Sequence, residues 1–403
     1  MKLVNEWFCL NIPFYFFTKP LNLSNQSIFQ MKYFIIAGER SGDLHGSNLI
    51  KAIKNADSQA GGVRLDIKAW GGDYMHEAGA EITKHYRDLA FMGFVEVLMN
   101  LPKILGFFNE CKNTIAEFKP DAIILIDYAG FNMRMAKWAK KEGYKVFYYI
   151  SPKVWAWNQS RAWALKKSID KLFVIFPFEV EFFKKYNYEV EFVGNPLFDA
   201  IVSFKPNLEF LKNNRLEDKK IIALLPGSRK QEVEKMLELM IATKKQFPDY
   251  QFVIAGVGNL SKEFYEIFLD DNICVVFDQT YDLLNHSTVA MVTSGTATLE
   301  TALLNVPQVV CYKTSWISYK IAKSLIKVPY ISLVNLVAQK PVVKELIQDE
   351  LTSENIATEI MKILPETKTR NEQLFNYQLI KESLGGAGAS EKTGKRIVEL
   401  MRK

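Results

Sequence analysis

The chain has 403 residues, more than one hydrophobic core usually organises, so two domains are expected. Hydrophobic residues at 48% and charged residues at 24% are ordinary for a soluble globular protein, and the formal charge of +6 does not indicate a nucleic-acid partner. That charge is compatible with an anionic substrate or an anionic membrane surface. The widely spaced Cys9, Cys111, Cys274 and Cys311 suggest neither a zinc site nor a disulfide framework.

The first thirty residues differ from the rest of the chain. Residues 7–17 are apolar and aromatic, but Asn11 and Pro13 interrupt them and the stretch is too short to span a bilayer. A regular strand pattern begins at Met31. We interpret residues 1–30 as an extension that is disordered or precedes the natural start, with a membrane-touching segment or a signal peptide as alternatives.

From Met31 onward, short apolar strands alternate with amphipathic helices, and a second series begins after Asn195-Pro196. The predicted strands are 33–37, 66–70, 122–127, 145–150, 171–174 and 190–193, followed by 221–225, 251–255, 274–277, 289–293 and 308–312. Near-continuous apolar strands separated by helices indicate parallel sheets covered on both faces. We therefore predict an α/β protein with two Rossmann-like, doubly wound domains.

The two series give the expected domain boundaries. Residues 31–197 form the first domain and residues 198–370 the second. Residues 371–403 form a helical segment that either crosses back onto the first domain or exchanges with a partner chain, which leaves a homodimer open. Because ligands bind beyond the carboxyl ends of parallel strands, the loops at those ends are the candidate sites.

The first such loop, residues 37–46, follows a strand and opens a helix. Its glycines let the backbone approach a ligand, and a helix N-terminus favours anionic or hydroxyl-rich groups. The four-residue glycine spacing is not a dinucleotide fingerprint, and the alternative is a tight turn in which Ser41 or Asp43 caps the helix. The residues predicted to face a sugar or acceptor are Gly38, Glu39, Ser41, Gly42 and Asp43.

Residues 91–98 are unusually apolar for a solvent-facing segment, and the pattern continues through 101–108. Periodicity alone does not separate a buried helix from a lipid-facing patch. The candidate lipid-facing residues are Met92, Phe94, Val95 and Leu98.

Asp127 comes directly after an aliphatic strand, where partial desolvation raises the pKa of a carboxyl group and makes it a better general base. The alternative is a capping residue for the helix that begins near Phe131. The loop after the next strand contains Trp155 and Trp157, which suit a sugar face or a domain interface, with core packing as the alternative.

Two loops of the second series suggest a site that binds a diphosphate without a metal. Backbone N–H groups and a guanidinium can hold the phosphates, and the lack of a P-loop ending argues against nucleotide hydrolysis. Glu300 lies in the helix after the second loop, where it could accept ribose hydroxyls. The predicted residues are Gly227, Ser228 and Arg229 in the first loop and Ser294, Gly295 and Thr296 in the second. An exposed arginine in a turn and a capped helix are the alternatives.

Seven segments, in order between Met31 and Lys344, resemble the lipid-A-disaccharide synthase family, glycosyltransferase family 19. They are AGERSGDLHG, LAFMGFVEVL, the strand ending in Asp127 with Phe131-Asn132, SPKVWAWN, GNPL, LLPGSR and SGTATLE. The resemblance implies a GT-B fold, two Rossmann-like domains facing across a cleft. It implies an inverting transfer of 2,3-diacylglucosamine from UDP to the 6-hydroxyl of 2,3-diacylglucosamine 1-phosphate (lipid X). The products are the β-1,6-linked disaccharide 1-phosphate and UDP.

The resemblance also implies residue roles. Asp127 matches the proposed catalytic base, and Arg229 matches the arginine that steadies the UDP diphosphate. Ser294, Gly295, Thr296 and Glu300 match the nucleotide-binding segment, and Asn335 matches a residue near the UDP site. Gly130 departs from the pattern, because the family often carries a second acid there, which puts any helper carboxylate in doubt.

The resemblance further implies no metal or other cofactor and a peripheral position on the cytoplasmic face of the inner membrane. The expected partners are UDP-2,3-diacylglucosamine, lipid X and that anionic membrane surface, without nucleic acid. The competing functions are a UDP-sugar 2-epimerase on a similar fold and a non-catalytic nucleotide-sugar-binding protein.

Overall fold

The computed structural model describes residues 30–89, 101–216, 219–258, 260–316, 319–320, 323 and 328–403. The predicted N-terminal extension falls outside the described residues, apart from residue 30. The predicted lipid-facing residues Met92, Phe94, Val95 and Leu98 also lie outside them.

Within these residues the first half of the chain forms a seven-stranded parallel sheet with the order β3-β2-β1-β4-β5-β6-β7. Its strands are β1 (Gln30–Ala37), β2 (Arg64–Gly71), β3 (Glu81–His85), β4 (Ala122–Ile126), β5 (Lys145–Tyr149), β6 (Lys171–Val174) and β7 (Glu191–Phe192). Ala37 pairs with Ile126 and Ile126 with Tyr149, so β1, β4 and β5 end at the same edge.

The second half forms a six-stranded parallel sheet with the order β10-β9-β8-β11-β12-β13 within the same described residues. Its strands are β8 (Lys220–Leu225), β9 (Tyr250–Gly256), β10 (Ile273–Phe277), β11 (Ser287–Thr293), β12 (Gln308–Tyr312) and β13 (Glu345–Ile347). The two sheets confirm the predicted α/β class with doubly wound parallel sheets.

The described helices cover both faces of each sheet. In the first half they are α1 (Arg40–Gln59), α2 (Asp73–Glu77), α3 (Leu101–Phe118), α4 (Ala129–Lys141), α5 (Val154–Trp157), α6 (Arg161–Ser168), α7 (Pro177–Lys184) and α8 (Pro196–Ser203). In the second half they are α9 (Phe210–Asn213), α10 (Lys230–Ile241), α11 (Lys262–Glu266), α12 (Thr280–His286), α13 (Thr296–Leu303), α14 (Leu333–Ala338), α15 (Ser353–Met361), α16 (Lys368–Ser383) and α17 (Ala389–Met401).

Alternate side chains of the central strands enter two different cores, as the two-residue period of a strand requires. In β1, Phe34 and Ile36 pack on one face, whereas Tyr33 and Ile35 pack on the other. In β8 the same alternation separates Ile222 and Leu224 from Ile221, Ala223 and Leu225. Burial on both faces explains why these strands are near-continuous apolar runs in the sequence.

The last helix, α17, crosses back and packs against α1 of the first half. Ile397 and Val398 enter the core beside β1. The contact is close, because a Cβ on Gly394 would lie 2.7 Å from the Cβ of Ala52. The Arg402 guanidinium binds the Asp57 carboxylate at 2.6 Å. In the part of the chain that the structure describes, no helix is long and apolar enough to cross a membrane.

Candidate active site

Asp127 occupies the first position after β4 and has a backbone conformation that is rare for it. Its φ is 43° and that of Tyr128 is 50°, so two consecutive non-glycine residues lie in the left-handed region. The Asp127 N–H donates to the Tyr149 carbonyl at 3.2 Å, and its carbonyl accepts from the Tyr148 hydroxyl at 2.5 Å. Such strain persists only where the surroundings hold it, and it is frequent at functional sites.

The Asn132 side chain stabilises the same turn through hydrogen bonds to backbone carbonyls. Its side chain is fully buried, and Nδ2 lies 2.9 Å from the Asp127 carbonyl and 3.1 Å from that of Ile126. A third carbonyl, that of Ile36 in β1, lies 3.4 Å away. The sequence offered Asn132 only as an alternative cap for the helix that begins near Phe131. The structure shows that it ties the ends of β1 and β4 to the Asp127 turn.

The Asp127 carboxyl is half-buried, and this burial raises its pKa. The Lys153 ammonium lowers the pKa, the Glu39 carboxylate raises it, and the Tyr128 N–H lowers it by donating a hydrogen bond. Burial is the largest of these effects. The direction agrees with the expectation for a general base, because a higher pKa strengthens the carboxylate as a proton acceptor.

The loop after β1 passes directly over this turn. A Cβ on Gly38 would lie 2.4 Å from the Tyr128 ring, so only glycine fits at this close approach. Glu39 and Ser41 are exposed beside it, and Gly42 is buried. The helix α1 begins at Arg40, earlier than predicted, which moves Ser41, Gly42 and Asp43 into its first turn.

The prediction that Asp43 faces a ligand is wrong. Its side chain is 1% exposed, and its carboxylate accepts N–H bonds from Gly72 at 2.7 Å, Tyr74 at 3.1 Å and Met75 at 3.2 Å. These donors lie at the start of α2, whose free N–H groups a buried carboxylate satisfies. Asp43 therefore joins α1 to the loop after β2.

Trp155 does not form an exposed sugar face. It packs in the core of the first half and lines a cavity with Val328 and Leu336 of the second half, so the core-packing and domain-interface alternatives both agree with the structure. Trp155 is 4% exposed, and its Nε1 donates to Glu179 at 3.1 Å. Its ring packs edge-on against Phe178, with 4.9 Å between centroids. Buried indole N–H groups need a partner, and Glu179 supplies it.

A cavity of about 250 Å³ lies at the carboxyl edge of the second sheet. It is formed by the loops after β8 and β11, with the ends of β9 and α12 closing its sides. Six of the residues predicted for UDP line it: Gly227, Ser228, Ser294, Gly295, Thr296 and Glu300. Glu232, Thr280 and Val257 are among the lining residues that the sequence analysis missed.

Glu232 folds back over the loop after β8. Its carboxylate accepts hydrogen bonds from the N–H groups of Ser228 and Arg229, and burial raises its pKa. Gly227 has φ 106°, and a Cβ there would lie 2.5 Å from the Glu232 Oε2. Glu232 is the third residue of α10, and it bonds back to the N–H of the N-cap residue Arg229. Because the N-cap is not Ser or Thr, the capping-box signature is absent from the sequence.

Glu300 lies on α13 with its carboxylate directed toward the cavity. The Tyr281 hydroxyl donates to it at 2.7 Å. Burial raises the pKa of the Glu300 carboxyl, and the Tyr281 hydrogen bond lowers it by a smaller amount. One oxygen is thus fixed by the protein, and the group remains able to accept further hydroxyl donors.

Two predicted UDP residues do not line this cavity. Arg229 is exposed at the start of α10, beside Glu232. The prediction that Asn335 faces UDP is wrong, because it is 1% exposed and its amide is fully used within the protein. Its Oδ1 accepts N–H bonds from Val342 and Val343, and its Nδ2 donates to Val343 and Glu345, all between 2.8 and 2.9 Å.

The carboxyl edges of the two sheets meet. Arg40, at the end of the loop after β1, lies 3.6 Å from Asp278, which directly follows β10. Both side chains are exposed, so the ion pair itself adds little stability. It shows that the Asp127 turn and the cavity border one cleft. In the described part of the chain, no group of three or more His, Cys, Asp or Glu could hold a metal ion.

Solved structures with the same architecture include glycosyltransferases and epimerases. The kitacinnamycin glycosyltransferase matches with a TM-score of 0.61 at 11% identity, over 92% of this chain and 98% of that one. The UDP-GlcNAc 2-epimerase from Neisseria meningitidis matches with a TM-score of 0.56 at 14% identity, over 93% and 100%. At such identities the likeness concerns the fold alone. Two parallel-sheet α/β domains that border one cleft define the class as GT-B.

Sequence similarity identifies the family within that class. The family model of lipid-A-disaccharide synthetase matches residues 33–395, and the chain belongs to this family. Lipid-A-disaccharide synthase from Geobacter metallireducens is 37% identical over 92% of this chain and 97% of its own. The synthase from Coxiella burnetii is 36% identical over 94% and 100%. The chain is thus an enzyme of lipid A biosynthesis, a glycosyltransferase.

Proposed function

We propose that the enzyme transfers 2,3-diacylglucosamine from UDP to the 6-hydroxyl of 2,3-diacylglucosamine 1-phosphate. The products are the β-1,6-linked disaccharide 1-phosphate and UDP. Residues 31–197 form the acceptor domain, residues 198–370 the donor domain, and residues 371–403 the segment that returns to the acceptor domain. Gly227, Ser228, Ser294, Gly295 and Thr296 face the diphosphate, and Glu300 accepts the ribose hydroxyls.

The meeting of the two carboxyl edges carries this proposal. The Arg40–Asp278 contact brings the Asp127 loop and the cavity of the donor domain to one cleft. A group transfer needs a base on one side of the reacting carbon and a site for the leaving group on the other. In support, a carboxyl with a raised pKa lies at one edge, and small residues line a cavity at the other.

The reaction is a single displacement with inversion. The acceptor oxygen attacks the anomeric carbon as Asp127 removes its proton. The bond between that carbon and the diphosphate oxygen breaks, and UDP carries away the electron pair. The N–H groups at the cavity and the Arg229 guanidinium stabilise the charge that grows on the diphosphate. General-base assistance of this kind contributes roughly 10²–10⁴-fold.

The decisive experiment supplies purified enzyme with both acylated substrates and follows disaccharide and UDP by mass spectrometry. Formation of both, in equal amounts, is expected. Formation of an epimer from UDP-N-acetylglucosamine alone would support the epimerase instead. UDP binding without transfer to any acyl-glucosamine would make the chain a nucleotide-sugar-binding protein.

The substrates carry acyl chains, so the proposal includes peripheral binding to the cytoplasmic face of the inner membrane. The net charge of +6 favours an anionic surface. Met92, Phe94, Val95 and Leu98 supply the apolar contact. Vesicles of anionic phospholipid should retain the enzyme, and Val95→Glu should release it if this stretch faces lipid.

Arg229→Ala is expected to weaken UDP binding and to lower kcat, each by roughly 10–100-fold, because a charge-assisted hydrogen bond to phosphate is lost. Calorimetry with UDP and steady-state kinetics measure the two effects. Lys230→Ala is the matched control, since its ammonium lies over the Phe264 ring. Equal losses of UDP affinity and kcat in the two variants would show that Arg229 does not bind the donor.

Glu232→Gln is expected to tighten UDP binding about 5-fold, which corresponds to about 1 kcal/mol. The carboxylate holds the N–H groups of Ser228 and Arg229 and repels an incoming diphosphate. Glutamine keeps the shape and removes the charge. Glu238→Gln, on the exposed side of α10, is the control in the same titration. Weaker binding by Glu232→Gln would mean that the carboxylate serves only to hold the loop.

A further inference from the structure

Lys153 lies at the same sheet edge as Asp127, in the loop after β5. Its side chain is exposed, and among the described residues none accepts a hydrogen bond from its ammonium or pairs with it. The other cation of the neighbouring strand-end loops, Arg40, is engaged with Asp278 at 3.6 Å and with the Tyr74 hydroxyl at 3.5 Å. Lys153 is therefore the cation that this edge leaves available to a ligand.

The loop that carries Lys153 is firmly held. Ile150 has φ 65°, a conformation that is rare for a β-branched residue. The Ser151 hydroxyl and the Trp155 Nε1, on either side of Lys153, both donate to one oxygen of Glu179. The other oxygen of this buried carboxylate accepts the N–H groups of Ile175 and Phe176 at 3.0 Å. Both flanks of Lys153 are thus anchored to the core, so its backbone position is fixed.

The charges around Lys153 indicate what it binds. Glu39 lies in the loop after β1 and Asp127 in the loop after β4. Without the lysine, the charge at this edge would be negative. Both carboxylates would repel a phosphate that bound here unless a cation paired with the phosphate. The Lys153 ammonium acts on Asp127 through space but forms no ion pair with it, so it is free to meet an anion.

We propose that Lys153 binds the anomeric phosphate of the acceptor sugar and so selects phosphorylated acceptors. This inference rests on the proposed function and deepens it. In the acceptor, C5, which bears the 6-carbon, and C1, which bears the phosphate, flank the ring oxygen, so the hydroxyl and the phosphate lie close together. Asp127 and Lys153 follow neighbouring strands, whose axes lie about 5 Å apart. One sugar can therefore present its hydroxyl to Asp127 and its phosphate to Lys153.

The test compares two acceptors, the diacylglucosamine 1-phosphate and the same lipid with a free 1-hydroxyl. The wild-type enzyme is expected to prefer the phosphorylated acceptor in kcat/KM by roughly 10–100-fold, the value of a charge-assisted hydrogen bond. Lys153→Ala should reduce this preference to less than about 3-fold, mainly through KM for the phosphorylated acceptor. Lys153→Arg should keep most of it. Lys141 is exposed at the end of α4 that lies farther from Asp127. Lys141→Ala should leave the preference for the phosphorylated acceptor unchanged.

A second readout separates acceptor binding from other roles. Lys153→Ala should leave the Kd of UDP unchanged. A loss of UDP affinity with an intact phosphate preference would assign the lysine to the donor and overturn the proposal. An unchanged preference with only a shifted pH profile would leave the lysine as a modifier of Asp127, which also overturns it. If the wild-type enzyme transfers to neither acceptor, it is the proposed function that fails.

Discussion

Asp127→Ala is expected to lower kcat by roughly 10²–10⁴-fold while the Kd of UDP stays nearly unchanged. The carboxyl follows β4 of the first sheet and is not among the residues that line the cavity of the second, so its loss should remove proton transfer and not nucleotide binding. Pre-steady-state transfer rates and UDP calorimetry on the same preparation measure both quantities. Asp127→Asn should behave like the alanine variant, because an amide of the same shape accepts no proton at neutral pH.

The pH profile gives an independent check on the same residue. Burial raises the pKa of the Asp127 carboxyl, and a base acts only when it is deprotonated. Activity should therefore rise with pH through an acid limb that lies above the usual range of an aspartate. The limb should be absent from the residual activity of Asp127→Ala. If that variant kept full turnover and the same limb, Asp127 would not be the base.

The central strands could be predicted from the sequence because burial on both faces gives them unbroken apolar runs. The edge strands β3 and β13 were missed for the opposite reason. Glu81, Lys84 and His85 in β3 face partly toward solvent, so the strand lacks that pattern. In β13, Glu345 interrupts the run, and its carboxylate accepts the N–H groups of Ile331 and Ser332. Only the folded chain shows this partner.

The two loops that form the cavity of the second half were predictable, because glycine and hydroxyl residues at strand ends are typical of ligand-binding loops. Asn335 and Asp43 were assigned to ligands in error for a shared reason. Each is a polar residue in a distinctive motif, but its hydrogen bonds go to backbone groups outside that motif, 29 residues away for Asp43 and 7 residues away for Asn335. A motif does not distinguish a polar side chain that binds a ligand from one that holds a loop. For the same reason the sequence did not reveal that Glu179 anchors the loop after β5. In the sequence it is only a glutamate at the start of a helix.

Asn132→Ala is expected to lower kcat by roughly 10²-fold, because a displacement of about 1 Å at a reacting group has that effect. The amide holds three carbonyls at the ends of β1 and β4, and one of them belongs to the strained Asp127. Without it, Asp127 can relax out of its left-handed conformation. The buried carbonyls that lose their donor also cost about 1–3 kcal/mol of stability. The Kd of UDP should not change.

Thr352→Ala separates the positioning effect from simple destabilisation. The Thr352 hydroxyl caps α15 by accepting the Asn355 N–H, far from Asp127, and its loss costs about 1 kcal/mol. Thermal unfolding should show a lower Tm for both variants, whereas transfer below the Tm should fall only in Asn132→Ala. A loss of kcat in proportion to Tm in both would reduce Asn132 to a stabilising residue. A selective loss, with the acid limb of the pH profile displaced as well, would show that the Asn132 amide sets the geometry of the Asp127 carboxyl.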